Sequence, residues 1–192
     1  MTLLENLSSP VLILCVSALF THYMKLCCQL KRHTRRDIVT GLYNKTFFSR
    51  TIQNWINRGE EFVLFILDID DFKSINDTYG HITGDKVILH LAESLKAICP
   101  KNTVISRFGG DEFVFALRNT TEEEYSEWLK KFQYLEYKHN KITIRYTVSI
   151  GVSKSDYFGT CEEVHFEADE CLYKSKRMGK GRYTLSEYKK SA

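Results

Sequence analysis

The residues best able to do chemistry form two carboxylate clusters, each beside an apolar run. In Leu67-Asp68-Ile69-Asp70-Asp71-Phe72-Lys73, three carboxylates fall within four residues, behind the six apolar residues Phe62–Leu67, and a lysine follows closely. Like charges crowded at the end of an apolar strand repel one another, and a bound cation relieves that repulsion. Hard oxygen ligands select Mg²⁺ or Mn²⁺ over softer metals. The plain alternative is a solvated helix N-terminus, at which Asp70 and Asp71 simply complement the dipole. That alternative explains Asp68 less well, because Asp68 sits directly behind the apolar run.

The second cluster is Arg107-Phe108-Gly109-Gly110-Asp111-Glu112-Phe113. Two glycines permit a tight turn and a close ligand approach to the main chain. If the strands over 62–67 and 111–117 are neighbours, Asp68 and Asp111 can share metals. The arrangement would then be a two-metal phosphoryl-transfer site. A third group is Asn76-Asp77-Thr78-Tyr79-Gly80-His81 with Gly84-Asp85. Asn offers a donor and an acceptor, and Asp accepts from two N–H groups, which together suit guanine. The plain reading is that Asn76 and Asp77 end one helix and Asp85 caps the next. A fourth group, Lys174, Lys176, Arg177 and Lys180, could grip a triphosphate or merely complement a helix C-terminus.

These residues need a scaffold, and the hydrophobic periodicity supplies one. Lys45–Asn57 reads as a helix with Phe47, Phe48, Ile52, Trp55 and Ile56 on one side, and Phe62–Leu67 as a central strand. Helices are expected over Asp71–Thr78, Asp85–Ile98, Glu122–Tyr137 and Glu162–Met178, and strands over Thr103–Phe108, Asp111–Leu117, Ile142–Val152 and Tyr183–Leu185. The glycine pair between the second and third strands predicts a hairpin. A strand leading into helices, then a central hairpin, then helix and strand, predicts an α+β fold of ferredoxin-like type, mostly antiparallel with helices packed on the sheet.

The 192 residues allow one ordinary domain plus a short element, and 43% hydrophobic content supports a real core. The net charge of +3 names no partner, but five basic residues and no acid lie between Lys25 and Arg36. The six cysteines form no C-x-x-C pair, so reduced thiols are expected. The adjacent Cys27 and Cys28 offer at most a site for a lipid beside a membrane. Asn6–Met24 carries no formal charge. About 20 such residues span a bilayer, and the basic flank predicts that its C-terminal side is cytoplasmic. The expectation is a single-pass inner-membrane helix with the catalytic domain in the cytoplasm. The alternative is an amphipathic or coiled-coil helix leading into the domain.

The motifs together resemble the GGDEF diguanylate cyclases. Arg107–Phe113 resembles the naming motif, and Asp37-Ile38-Val39-Thr40-Gly41-Leu42-Tyr43-Asn44 the opening motif, with valine where leucine is usual. Asp68–Asp85 resembles the metal and guanine segment, and Ala168–Lys176 the closing helix. The resemblance covers roughly Asp37–Leu185. It divides the chain into residues 1–36, a membrane helix with a short basic joint, and a cyclase domain over 37–188.

The resemblance implies a palm-type domain, related to adenylyl cyclase and polymerase palms, with a five-stranded antiparallel sheet. It also implies condensation of two GTP into cyclic di-GMP with loss of pyrophosphate, across a homodimer of domains. Asp68, the carbonyl of Ile69 and Asp111 would bind two Mg²⁺ (or Mn²⁺) per active site. Glu112 would assist at the metals or take the 3′-hydroxyl proton. Asn76 and Asp85 would read guanine, with His81 lining the site. The main chain near Phe72 and of Gly109 and Gly110, and the side chains of Lys73, Lys176 and Lys180, would meet the nucleotide. The family often has arginine where Lys180 stands, so bidentate phosphate geometry is lost there.

Many members carry Arg-x-x-Asp five residues before the glycine pair, where bound product inhibits. Here that tetrapeptide is Pro100-Lys101-Asn102-Thr103. No nucleic-acid partner is expected, and downstream receptors are not named by the sequence. Two other readings stand beside an active cyclase. One is a catalytically silent GGDEF domain that binds GTP or a protein. The other is a membrane adaptor that uses the domain to pair.

Overall fold

The computed structural model describes residues 10–33, 35–140, 142–155 and 159–187, without the side chains of 10, 11 and 26–33. The chain divides into two units, residues 1–36 and 37–192. The first contains one helix, α1, over Pro10–His33. Ser17 and Thr21 satisfy their hydroxyls on carbonyls of the preceding turn, Leu14 at 2.9 Å and Ser17 at 2.7 Å. Among the described residues no helix is long and apolar enough to cross a membrane. The spanning helix expected over Asn6–Met24 is thus not supported among the described residues, and its residues 6–9 lie outside them. Ser17, Thr21 and His22 dilute the apolar run, and Lys25 follows within a turn. The side chains of Cys27 and Cys28, weighed above as lipid sites, also lie outside the description.

In the second unit the elements run β1 (Tyr43–Asn44), α2 (Lys45–Asn57), β2 (Phe62–Ile69), α3 (Phe72–Tyr79), α4 (His81–Ile98), β3 (Val104–Gly109) and β4 (Glu112–Arg118). There follow α5 (Glu122–Leu129), β5 (Leu135–His139), β6 (Ile142–Tyr146), β7 (Val148–Lys154), α6 (Cys161–Arg177) and β8 (Tyr183–Leu185). Six strands form one sheet in the order β1-β3-β4-β2-β7-β8, and β5–β6 make a separate hairpin. The inner four strands pair antiparallel in the ferredoxin-like order. The edge pairs β1–β3 and β7–β8 are parallel, so the sheet is mixed and larger than the five-stranded antiparallel one expected.

Strand alternation sorts the core. Odd residues of β2, with Phe113, Phe115 and Leu117, pack under α3, α4 and α5. Even residues, with Val114 and Ala116, pack under α2 and α6. By the same alternation Asp68 and Glu112, which are register partners, project toward α2 and α6.

Local chemistry sets several boundaries. Asn44 caps α2 through Phe47 N, and Thr121 and Thr160 each build a capping box at α5 and α6. Two expectations fail. The helix expected over Glu122–Tyr137 stops at Leu129, passes through a 3₁₀ turn and becomes β5. The strand expected over Ile142–Val152 is two strands, β6 and β7. Tyr134, Tyr137 and Tyr146 are apolar enough to continue either pattern, and the hairpin of β5 with β6 decides the outcome.

α6 crosses β7 closely at Gly151. A Cβ there would lie 1.9 Å from the Ala168 carbonyl oxygen and 2.4 Å from Leu172 N. Both contacts are to backbone, which has no rotamer to yield. Gly151→Ala should therefore cost about 3 kcal/mol and lower Tm by about 10 °C in thermal unfolding. An unchanged Tm would show that α6 can slide off the sheet at no cost.

Candidate active site

The site lies at the carboxyl end of β2, where β4 begins. Asp68 and Glu112 face each other across the β2–β4 ladder, and Asp111 stands at the turn one residue before. Burial pushes the Asp68 carboxyl above its ordinary pKa, and the charges of Asp111 and Asp70 push the same way, against the pull of Lys176. Glu112 is likewise raised, first by burial and then by Asp169, with Asp68 and Asp111 adding. The carboxylates expected to share metals are thus brought together, and their mutual repulsion is what a divalent cation would neutralise.

An internal cation already sits there. Lys176 Nζ lies 2.8 Å from Asp68 Oδ1, so the ammonium stands where a metal charge would. Among the described residues no three His, Cys, Asp or Glu side chains converge into a closed metal cage. A Mg²⁺ held by one or two carboxylates, with water and substrate phosphate completing its shell, would not need such a cage. The donor set expected from the sequence is Asp68, Asp111 and the Ile69 carbonyl.

Asp70 is only 6% exposed and is not available to solvent ligands. It accepts from Thr147 Oγ1 and Ser149 Oγ at 2.6 Å each and from Gly181 N at 2.9 Å. Sequence reasoning counted it among the carboxylates, but its work is to bind the β2–α3 turn to β7 and to the loop after α6. Thr147, just before β7, and Ser149 within it were the available signal.

Asp71 leads α3 in a left-handed conformation, φ 55°, and gives the helix no side-chain cap. The first-turn amides at Phe72 and Lys73 have no intrahelical partner, which makes this end a place for an anion. Lys180, also left-handed at φ 63°, donates to Asp71 Oδ1 at 2.7 Å. That hydrogen bond raises the Lys180 pKa, so the lysine stays charged. Lys176 and Lys180 therefore flank the turn expected to hold phosphates. Lys73 is exposed on the first turn of α3.

Gly80, at φ 80°, lets α3 reverse directly into α4. A Cβ at Gly84 would lie 1.9 Å from Asn76 Oδ1, so only glycine permits this approach and it brings Asn76 beside the first turns of α4. His81 and Asp85, four residues apart, share a face of α4. Asp85 lies inside α4 and not at its cap, which removes the capping alternative. Asn76, His81 and Asp85 are thus brought to one corner.

Two further groups surround the glycine turn. Arg107 donates to the Gly110 carbonyl from Nε at 3.0 Å and Nη2 at 2.7 Å, and from Nη1 to Asp37 Oδ1 at 3.3 Å. Lys45 stands 5.2 Å over the Phe108 ring, which stacks on His165 with centroids 5.3 Å apart. Asp37, Arg107 and Phe108 were legible as motif members but not as partners, since 70 residues separate Asp37 from Arg107, while Lys45 and His165 belong to no motif. At the opposite end of β3, the Pro100–Thr103 segment closes a turn, Thr103 N donating to Pro100 O at 3.0 Å. Thr103 Oγ1 is buried without a partner.

Residues 34–182 match the family described as "Diguanylate cyclase, GGDEF domain". Diguanylate cyclase A of Treponema denticola is 34% identical over 172 residues, covering 82% of this chain and 46% of that protein. Diguanylate cyclase DgcM of Escherichia coli is 31% identical over 179 residues, covering 89% of this chain and 43% of that protein. The chain thus spans less than half the length of these two relatives. Among solved structures, the coiled coil and GGDEF domain of DgcB from Caulobacter crescentus, in complex with c-di-GMP, matches with a TM-score of 0.79. Its identity is 26%, over 90% of this chain and 96% of that one. Diguanylate cyclase SiaD from Pseudomonas aeruginosa, in complex with its activator SiaC, matches at 0.76 and 27% identity, over 90% and 70%. With the motif residues and the sheet order in agreement, the chain belongs to the GGDEF diguanylate cyclase family.

Proposed function

We propose that this protein condenses two GTP molecules into cyclic di-GMP. The observation that carries this reading is the juxtaposition of Asp68, Asp111 and Glu112 at one sheet end, with two lysines poised over it. Asn76 and Asp85 read the guanine edge, and the α3 amides, Lys73, Lys176 and Lys180 take the triphosphate. Bound Mg²⁺ supplies charge neutralisation and alignment of the reacting oxygens. The 3′-hydroxyl of one GTP forms a bond to the α-phosphorus of the other. The bond from that phosphorus to the bridging oxygen of the β-phosphate breaks, pyrophosphate leaves with the electron pair, and a second round closes the ring. Burial raises the Glu112 pKa, which suits a group that takes the 3′-hydroxyl proton.

One domain holds one GTP, so the reaction needs two domains face to face. The helix α1 suits that role, because Leu12, Val16, Leu19 and Tyr23 recur at alternating intervals of four and three along it. The similarity to a coiled coil joined to a GGDEF domain supports pairing through this helix. The reaction draws on GTP, which assigns the catalytic unit to the cytoplasm. The silent-domain reading has less support, since the metal, guanine and signature residues are all present.

The decisive test is purified protein with GTP and Mg²⁺, with the products separated by chromatography. Cyclic di-GMP should appear, and Asp111→Ala should lose about two to three orders of magnitude in rate while remaining folded. Near-normal turnover in that variant would overturn the mechanism. Lys176 should show opposite effects on metal and nucleotide. In Lys176→Met, Mn²⁺ binding without nucleotide should tighten by about threefold to tenfold, as loss of a half-exposed ion pair worth about 1 kcal/mol implies. GTP binding should weaken by a similar factor. Parallel weakening of both would refute the placeholder role of the ammonium.

The third expectation concerns feedback. Pro100 and Thr103 occupy the places of the inhibitory arginine and aspartate, and neither can fork onto phosphate or accept from guanine. Progress curves should be insensitive to micromolar cyclic di-GMP. Strong non-competitive inhibition would reveal a displaced inhibitory site.

A further inference from the structure

The glycine turn that carries Asp111 has almost nothing packed on it. A Cβ at Gly109 or at Gly110 would meet nothing within 4 Å. Gly110 is left-handed at φ 51°, and the β3–β4 register shifts between Arg107 and Gly109. Packing therefore does not fix the direction of the Gly110–Asp111 peptide, yet Asp111 must be aimed to ligate a metal.

The aiming comes from Arg107. Two arms of its guanidinium fork onto the single carbonyl of Gly110, at 3.0 and 2.7 Å. That carbonyl belongs to the same peptide plane as Asp111 N, so fixing one fixes the start of the other. The third arm reaches Asp37 at 3.3 Å, and the Arg107 side chain is 10% exposed. Asp37 is itself held: its Oδ1 accepts from Thr40 N at 2.8 Å and from Thr40 Oγ1 at 2.7 Å. Burial raises the Asp37 pKa, but the Thr40 hydrogen bonds and Arg107 outweigh it and the net shift is downward. Its backbone closes a turn with Gly41 and Leu42. Next to it, β1 pairs Asn44 with Arg107.

We propose that Arg107, braced by Asp37, is a positioning residue that sets the metal affinity of Asp111 by locking the Gly110–Asp111 peptide. The inference rests on the reading of Asp68 and Asp111 as metal ligands. Partners of this kind, one step removed from the ligands, typically change metal affinity by about 10- to 100-fold.

The test uses the full chain and Mn²⁺ itself, read as free Mn²⁺ by electron paramagnetic resonance, without nucleotide. Arg107→Met should weaken Mn²⁺ binding at least tenfold, and Arg107→Lys, with one nitrogen in place of three, should recover only part. Asp37→Asn keeps the shape of the brace and removes its charge, so it should shift affinity in the same direction by less. The cycle with Asp111→Ala separates aiming from general loosening. If Arg107 acts through Asp111, Arg107→Met adds no further loss once Asp111 is gone. Unchanged Mn²⁺ affinity in Arg107→Met, or losses that add in full, would overturn the proposal. Should the native protein bind Mn²⁺ but make no cyclic di-GMP, the proposed function fails while this cycle still decides the role of Arg107.

Discussion

Repulsion among carboxylates at one end of the sheet is the constraint on which the rest of the structure depends. Burial disfavours ionisation of Asp68 and Glu112, and the Asp111 charge adds to both. No apolar packing would choose that arrangement, because burial alone makes it worse. The molecule tolerates it through internal cations, Lys176 on Asp68 and Lys180 on Asp71. Those cations come from the end of α6 and the loop after it, so the closing helix must dock where it does. Gly151 is what lets it dock. The site is therefore not an addition to a finished fold; the docking that buries Val164, Ala168 and Leu172 also brings Lys176 to Asp68.

Much of this was legible in the chain because period and chemistry agreed. The apolar run Phe62–Leu67 announced a central strand, and the carboxylates behind it had to lie at its end. The glycine pair announced the hairpin, and the hairpin placed Asp111 near Asp68. Helices α2 and α4 showed clear apolar stripes. The second half of the domain was less legible. Leu135–His139 mixes apolar and charged residues at a spacing that suits a helix or a strand, and its partner β6 decides. The edge strands β1 and β8 are two and three residues long, too short for periodicity to register. The N-terminal helix was legible as a helix, and Ser17, Thr21 and His22 dilute its apolar run.

The site residues divide in the same way. Ligand types and motif order could be read, since Asp, Asn and Lys declare their chemistry. What could not be read was which carboxylate faces water and which is consumed by the fold. Asp70 and Asp71 are adjacent and chemically identical. One is enclosed by donors from β7 and the last loop; the other meets a lysine at the surface. Only tertiary contacts distinguish them.

The enclosure of Asp70 also carries a consequence in time. Its partners lie 77, 79 and 111 residues further along the chain. Until they arrive, the β2–α3 turn has no donors to orient it, and closing loops of that length is entropically costly and slow. A chain leaving the ribosome therefore holds the Asp68–Asp71 turn unassembled until Gly181 has emerged. A truncated or stalled product lacks the site and not merely its last strand. The enclosure of Asp70, and with it the turn that leads out of β2, cannot close before Gly181 has been made.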